Sequence, residues 1–432
     1  MASLPSNRSD ATSVVRTLRD AGHVAYFAGG CVRDELLGLE PKDYDVATDA
    51  PPDVVRKVFR NTQAVGAAFG VVLVRVGNSQ IEVATFRTDG KYEDGRRPES
   101  VHFTTAEEDA KRRDFTINGM FLDPLTREVI DYVGGQNDLA AKTLRAIGIA
   151  DERFAEDHLR MLRAVRFASK FSLTEQADTE AAIKRHAPLL ARISPERIAD
   201  ELRRMLTARE RDVALHHLQR LGLLNVILRF LPEQSPEIST GNFRVLPAIS
   251  QMRGVEPVSF SLALAAVTLE YRLQTRGEAA LVELTSPTAV THTKAAMRKA
   301  LKISNDEERA LGGILSFGEL IASEAPTVAQ LKRFLAKPFA DDARVLMRAI
   351  GSLAVRHEKA LARLSTTEFA PEPFVTGDDL AAAGLRPGPM FRRILDAVYD
   401  AQLEDRVTSK VDALRMAMGM NDGQNDQRDV VN

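Results

Sequence analysis

Asp43 and Asp45 stand either side of Tyr44 in a run that reads Lys42-Asp43-Tyr44-Asp45-Val46. On an extended strand residues i and i+2 share a face, so the two carboxylates project together while Tyr44 points away. Paired hard oxygen ligands are what Mg²⁺ prefers, with substrate phosphates and waters completing its octahedron. Upstream, Gly29-Gly30 lead into Cys31-Val32-Arg33. Adjacent glycines let a backbone come close to phosphate oxygens, because no Cβ intervenes and positive φ is open to them. A helix opening there points free N–H groups and its positive dipole end at the same place. Each piece suits one part of a nucleoside triphosphate. A dinucleotide fold is disfavoured, since the glycines lack the G-x-G-x-x-G spacing.

The elements that must position these groups can be read from the surrounding chain. A short apolar strand over residues 24–28 runs into the glycines, a helical turn carries Arg33, and a loop marked by Gly38 and Pro41 precedes the strand of Asp43 and Asp45. Residues 9–20 read as an amphipathic helix ended by Gly22, and Pro51-Pro52 opens a helix through Phe59, a use of proline that costs no hydrogen bond. Two β-branched runs, residues 71–76 and 81–86, are joined by Gly77-Asn78-Ser79 and read as a hairpin. Residues 87–100 break every period with two glycines, a proline and alternating charge, as a solvated loop does.

Two cationic stretches follow. Lys111-Arg112-Arg113-Asp114 leads into an apolar run ending at Leu122, so Arg113 and Asp114 sit where a helix meets the sheet. Further on, Asp157, Arg160, Arg163 and Arg166 recur every three residues in a stretch, 156–167, that reads as one helix. Such a ridge is roughly 13 Å long, comparable to an extended nucleotide. The same spacing also fits a surface stripe with an i, i+3 ion pair. Cytosine and adenine each present an amino donor beside a ring-nitrogen acceptor, whereas uracil and guanine present a carbonyl beside an N–H. An aspartate that only accepts and an arginine that only donates would therefore pair with C and A, and leave unsatisfied groups against U and G.

Taken in order, these motifs resemble the nucleotidyltransferase superfamily of DNA polymerase β. More closely, GGCVRDELLG followed by KDYDVATDA is similar to the bacterial branch holding the CCA-adding tRNA nucleotidyltransferases and poly(A) polymerases. RRDFTIN matches the second motif of that family, residues 131–139 its third, EDxxR at Glu156 to Arg160 its fourth, and SPERIADELRRML its fifth. The resemblance implies that Asp43 and Asp45 hold two Mg²⁺ ions and that Glu82 is the third acidic residue beside them. It implies that Gly29, Gly30, Arg33 and Arg113 hold the nucleotide. Asp157 and Arg160 would serve as an amino-acid template for CTP and ATP, with Arg163 and Arg166 on the nucleotide or its triphosphate. The fifth motif would brace the template helix. The loop over residues 87–100 occupies the place of one that the family needs for adding the terminal A.

The chain has 432 residues, enough for several domains. Its 58 Lys and Arg face 60 Asp and Glu, so any RNA must bind through local patches. A single cysteine, Cys31, excludes an internal disulfide or a cysteine-based zinc site, and reads as a filler beside the glycine turn. No apolar run is long enough to span a bilayer. A soluble protein of the reducing cytoplasm is expected, with the tRNA 3′ end, CTP and ATP as partners and neither DNA nor membrane. The expected fold is α+β: a nucleotidyltransferase head with a mixed β-sheet (1–150), then an all-helical neck (151–230), body (231–364) and tail (365–432). Two helices joined by a glycine-proline turn near residues 384–389 open the tail, and the polar end from about Asn421 is expected to be disordered. The motifs leave three functions open: addition of CCA or only its A to tRNA, poly(A) synthesis on RNA 3′ ends, or RNA binding without chemistry.

Overall fold

The computed structural model describes residues 7–64, 70–90, 100–229, 247–252, 254–351, 355–385 and 388–425. They fall into two compact units, the first ending at Arg229 and the second taking in the described residues from 247 onward.

The first unit opens with helix α1 (Arg8–Asp20), whose Asn7 cap accepts the Asp10 N–H at 2.8 Å. Ala11, Val14, Val15 and Leu18 recur at helical spacing and bury one face of α1. Strand β1 (Ala25–Ala28), helix α2 (Gly30–Leu36), strand β2 (Asp45–Thr48), helix α3 (Pro52–Val58), and strands β3 (Thr62–Ala64), β4 (Val71–Val76) and β5 (Ser79–Thr85) follow. With β8 (Phe121–Leu122) and β9 (Val129–Ile130) they build a seven-stranded sheet in the order β3-β4-β5-β2-β1-β8-β9. The sheet is mixed, because β2 pairs parallel with β5 and every other pair is antiparallel. Alternation sets which face of β5 is inward: Ser79, Ile81, Val83 and Thr85 are buried, and Glu82 is not. The β4–β5 hairpin turns at Gly77, whose φ of 55° suits a residue without Cβ.

Two expectations need correction here. Strand β2 begins at Asp45, so Asp43 lies just before it rather than on it. The alternation nevertheless holds, since Asp43 and Asp45 are exposed while Tyr44 is buried against Phe27 at 5.0 Å between ring centroids. The loop after β5 is also more ordered at its ends than expected. Strands β6 (Arg87–Asp89) and β7 (Val101–Phe103) pair antiparallel, and residues 91–99 lie outside the described residues.

Helix α4 (Ala106–Lys111) and a 3₁₀ turn (Thr116–Asn118) lead back to the sheet. Beyond β9 the first unit is largely helical: α5 (Gly135–Ala140), α6 (Ala150–Glu156), α7 (Arg160–Phe171), α8 (Ala177–His186), α9 (Pro195–Leu206), α10 (Arg211–Arg220) and α11 (Leu223–Ile227). The stretch expected to be all-helical also holds one short strand, Thr174–Glu175, which pairs parallel with Thr143–Leu144. The single helix expected over residues 156–167 is two helices. Asp157 is extended, with φ −143° and ψ 104°, and its carboxylate accepts the Leu159 N–H at 3.0 Å. A short acidic side chain that bonds its own backbone competes with helix propagation, and here it wins.

The described residues of the second unit are helices and their connections. Its Phe260–Arg276 helix is buried on all sides from Phe260 to Arg272, as a helix at the centre of a bundle must be. The Gly377–Ala382 and Pro389–Leu403 helices match the expected pair, although Arg386 and Pro387 of the turn lie outside the described residues. The last helix, Lys410–Asn425, carries order past Asn421, and the expected disordered end after it is outside the described residues.

One glycine at the junction of sheet and helices gives a direct test of this packing. The Asp131 carboxylate accepts the N–H groups of Val133, Gly134, Gly135 and Gln136 at 2.8 to 3.1 Å, which seats the start of α5. A Cβ on Gly135 would lie 2.3 Å from the Thr116 carbonyl oxygen and 2.8 Å from Met120 Cγ. Gly135→Ala is therefore expected to lower stability by about 1–3 kcal/mol, read as a fall in the urea midpoint at unchanged m-value.

Candidate active site

The parallel pairing of β2 and β5 sets Asp45 directly opposite Glu82. Residues in register on neighbouring strands point to the same face, so Asp43, Asp45 and Glu82 crowd negative charge on one side of the sheet. Asp45 records the effect. Its pKa is pushed up to about 7, first by lost hydration, then by the charge of Glu82 and of Asp43, with Arg113 pulling the other way. Water reaches Asp45, yet protein surrounds it closely enough for desolvation to lead, and the like charges act in the same direction. Burial raises the Glu82 carboxyl as well, against the pull of Arg87.

Hard oxygen donors from Asp43 and Asp45 fit a divalent cation, which would relieve this repulsion. Among the described residues no three His, Cys, Asp or Glu side chains converge into a ligand group. The donor set therefore matches a cation that keeps waters and takes substrate phosphates. Glu82 neighbours the pair without completing it.

Arg113 is the cation whose charge acts on Asp45 among the described residues, and it is held from several sides. Its Nε and Nη2 donate to Asp109 Oδ2 at 3.2 and 2.9 Å, and its Nη1 donates to the Asn118 carbonyl at 3.2 Å. The guanidinium lies over the Phe121 ring at 5.1 Å. Gly29 makes the space: its φ is 70°, and a Cβ there would stand 2.9 Å from Arg113 Nη1. The glycine turn is thus required both by backbone conformation and by the arginine above it.

Asp109 was not singled out in the sequence, although its i+3 and i+4 spacing to Arg112 and Arg113 is legible there. It is 1% exposed and binds both guanidinium groups, Arg112 through Oδ1 at 2.7 and 2.9 Å. Burial alone would raise its carboxyl, but Arg113 and Arg112 hold it below the ordinary range.

Arg33 is placed differently from the expectation of a phosphate ligand. It is 5% exposed, donates from Nη1 to Asn118 Oδ1 at 2.6 Å and from Nη2 to Asp34 Oδ1 at 2.6 Å, and lies 4.3 Å from the Phe171 ring centroid. It ties α2 to α7. Gly30 lies beside it, an added Cβ being 3.6 Å from Arg33 Nη2. Cys31 is buried and its thiol is pushed up to about 12 by burial, which agrees with a filler and not a nucleophile.

The four residues of the expected ridge each have a partner of opposite charge. Asp157 meets Arg197 of α9 at 2.8 Å, Arg160 meets Glu156 at 2.5 Å, Arg163 meets Asp114 at 2.8 Å and Arg166 meets Glu201 of α9 at 2.6 Å. Asp157 stands at the break between α6 and α7, so it shares no helical ridge with Arg160. Ser194 occupies the cap position of α9 without a side-chain bond to it. Asp114 is buried, and Arg163 with the Asn118 amide outweighs that burial and keeps its carboxyl below the ordinary range.

Comparison with known proteins places this geometry. Residues 25–145 match the family described as the poly A polymerase head domain, and residues 171–237 one described as a probable RNA and SrmB-binding site of polymerase A. The chain is 34% identical over 431 residues to a CCA-adding enzyme of Lactiplantibacillus plantarum, covering 96% of each chain. Its fold is similar to that of the Bacillus stearothermophilus CCA-adding enzyme in complex with CTP, with a TM-score of 0.75, 29% identity and coverage of 97% of this chain and 98% of that one. The Thermotoga maritima CCA-adding enzyme complexed with tRNA shares the fold at a TM-score of 0.67 and 16% identity, over 95% and 94% of the two chains.

The crowding at Asp45 makes a prediction about the metal-free protein. A carboxyl raised on folding destabilises progressively as pH climbs from its unfolded value near 4 to its folded value of about 7, and by a constant amount above that. With chelator present near pH 8, Asp45→Asn should therefore raise stability. After allowance for solvent screening the gain is about 1 kcal/mol, or roughly 2–4 °C in Tm, and it should shrink towards pH 4.

Proposed function

This chain belongs to the family of the CCA-adding enzymes, and from that premise we propose that it adds CCA to the 3′ end of tRNA, taking CTP and ATP without a nucleic-acid template. The observation that carries the proposal is the exposed Asp43 and Asp45 pair, facing Arg113 across the glycine turn, with Asp45 in register with Glu82. The similar Bacillus stearothermophilus structure holds CTP and the Thermotoga maritima one tRNA, which supports these substrates. A single buried thiol and the lack, among described residues, of a helix able to cross a membrane fit work in the reducing cytoplasm.

Asp43 and Asp45 are the residues that would hold divalent cations, for which we propose Mg²⁺. When bound, such ions supply Lewis-acid activation of the RNA 3′-hydroxyl and charge neutralisation at the departing pyrophosphate. The chain's own residues do the rest by orientation and charge, as nucleotidyl transfer needs no protein nucleophile. Gly29 and Gly30 bring backbone close to the triphosphate, and Arg113, fixed by Asp109, places its positive charge there. Arg33 keeps α2 seated on α7, so the glycine turn holds its distance from the helices that select the base. Asp157 and Arg160 are proposed to read the base edge, Asp157 steadied by Arg197 and Arg160 by Glu156. Arg163 and Arg166 line the same helix, and their pairing with Asp114 and Glu201 points to positioning α7. The division into head, neck, body and tail at residues 150, 230 and 364 is kept as part of this proposal.

A Mg²⁺-dependent extension assay on three transcripts tests it: tRNA lacking CCA, tRNA ending in CC, and an unstructured oligo(A), each with CTP, ATP or both. Extension that stops after CCA on the first transcript is expected. A single A added only to the CC-ended tRNA would restrict the enzyme to that step, long A tracts on oligo(A) would make it a poly(A) polymerase, and no extension at all would leave RNA binding alone.

The template reading has its own check. Asp157→Ala removes the acceptor that should reject uracil and guanine, so discrimination against UTP and GTP, measured as a ratio of kcat/KM values, should fall by at least about 100-fold. Unchanged discrimination in a folded variant would remove Asp157 from that role.

A further inference from the structure

Strand pairing fixes only one of the two paired aspartates. The ladder between β2 and β5 begins with Asp45 opposite Glu82, and Asp43 stands outside it. Tyr44, between the two, is anchored through its side chain. Its ring packs on Phe27 of β1 with centroids 5.0 Å apart, and its hydroxyl donates to the carboxylate of Glu35, in the last turn of α2.

Glu35 is itself clamped. Arg8, in the first turn of α1, donates to Oε1 from Nε at 2.8 Å and to Oε2 from Nη2 at 3.4 Å. The planar guanidinium fork holds the carboxylate in one orientation. The same guanidinium lies 5.7 Å from the Phe27 ring centroid. Phe27, Tyr44, Glu35 and Arg8 thus close a ring of contacts that joins β1, the entry to β2, α2 and α1. This end of α1 also reaches the other acidic strand. Asn7 Nδ2 donates to Ser79 Oγ at 3.1 Å, and Ser79 Oγ donates to Asp10 Oδ2 at 2.5 Å. Ser79 opens β5, the strand that carries Glu82.

Apolar packing does not need these polar groups, because a phenylalanine at position 44 would cover Phe27 as well. A hydroxyl that meets a buried carboxylate makes a charge-assisted bond, which is short and directional. It therefore fixes the depth and rotation of the Tyr44 ring. Any shift of that ring carries the backbone of both flanking aspartates with it, and a ligand constellation tolerates errors of only about 0.5 Å.

We propose that Glu35 and Arg8 are positioning residues for the cation site: through the Tyr44 hydroxyl they set where Asp43 stands relative to Asp45, and so how tightly a divalent cation is held. The inference rests on the reading of Asp43 and Asp45 as cation ligands. None of the three side chains touches the ion; they act through the backbone between its ligands.

The test titrates the full chain with MnCl₂ in the absence of nucleotide and RNA, and follows free Mn²⁺ by electron paramagnetic resonance. Tyr44→Phe, which removes only the hydroxyl, and Glu35→Leu should each raise Kd for Mn²⁺ about tenfold. Glu35→Gln keeps an acceptor for the hydroxyl and should restore most of the affinity. In extension assays the Mn²⁺ concentration that gives half the maximal rate should move by the same factor as Kd. Leu215→Ala, which opens a cavity in α10 of the same unit, serves as the control for lost stability. It should lower Tm and leave Kd at the parent value. An unchanged Kd in Tyr44→Phe overturns the proposal, as does an equal rise in Leu215→Ala. If Asp43→Asn/Asp45→Asn loses the ion while Tyr44→Phe keeps it, only the positioning role is lost. If that double variant binds Mn²⁺ as tightly as the parent, the cation reading is wrong and this inference falls with it.

Discussion

Like charges held together in a folded protein demand a reason, and Asp43, Asp45 and Glu82 supply the constraint around which the first unit is arranged. The parallel register of β2 and β5 forces Asp45 and Glu82 side by side. Tyr44, buried on Phe27, turns its two neighbours outward. Each of these features raises the free energy of the metal-free sheet and lowers that of a state with positive charge bound at its face. A site strained in this way is the usual trade of stability for function. Gly29 belongs to the same arrangement, because its missing Cβ lets the Arg113 guanidinium come within reach of the carboxylates.

Around that centre the structure uses arginine–carboxylate pairs between elements. Asp109 fixes Arg112 and Arg113, Asp114 fixes Arg163, Glu201 fixes Arg166, and Asp157 meets Arg197. Buried pairs of this type add little net stability over apolar packing, but losing one partner is costly, on the order of 3–5 kcal/mol. They serve geometry. Arginine suits them because its planar fork binds a carboxylate in a fixed orientation and also stacks on rings, as Arg33 does on Phe171 and Arg166 on Phe167 at 4.3 and 4.4 Å.

Local signals in the sequence carried most of the head. The strand, glycine turn and helix at residues 25–36 and the β4–β5 hairpin follow from alternation, β-branching and turn residues, the mixed sheet is implied by the family resemblance, and the structure has all of them. Two departures are also local: Asp43 falls before its strand, and Asp157 breaks a helix whose apolar period runs on without interruption. Here a side-chain bond to the Leu159 N–H decides, and periodicity does not register it. The partners of the ridge arginines were illegible for another reason. Asp114 and Arg163, or Arg166 and Glu201, come together only when separate helices pack, and no spacing within one element encodes that. Arg33 is the sharpest case, since its place in the motif resembles a phosphate ligand while the folded chain surrounds it with Asp34, Asn118 and Phe171.

The central claim is that the crowded carboxylates form a divalent-cation site, and thermal unfolding against MnCl₂ concentration tests it most directly. A ligand that binds only the folded state raises Tm with the logarithm of its concentration once it exceeds Kd. The account predicts such a rise for the parent chain and a flat response for Asp43→Asn/Asp45→Asn, which should start from a higher Tm in chelator. An equal rise in both proteins would contradict it, because the cation would then be held somewhere other than at Asp43 and Asp45.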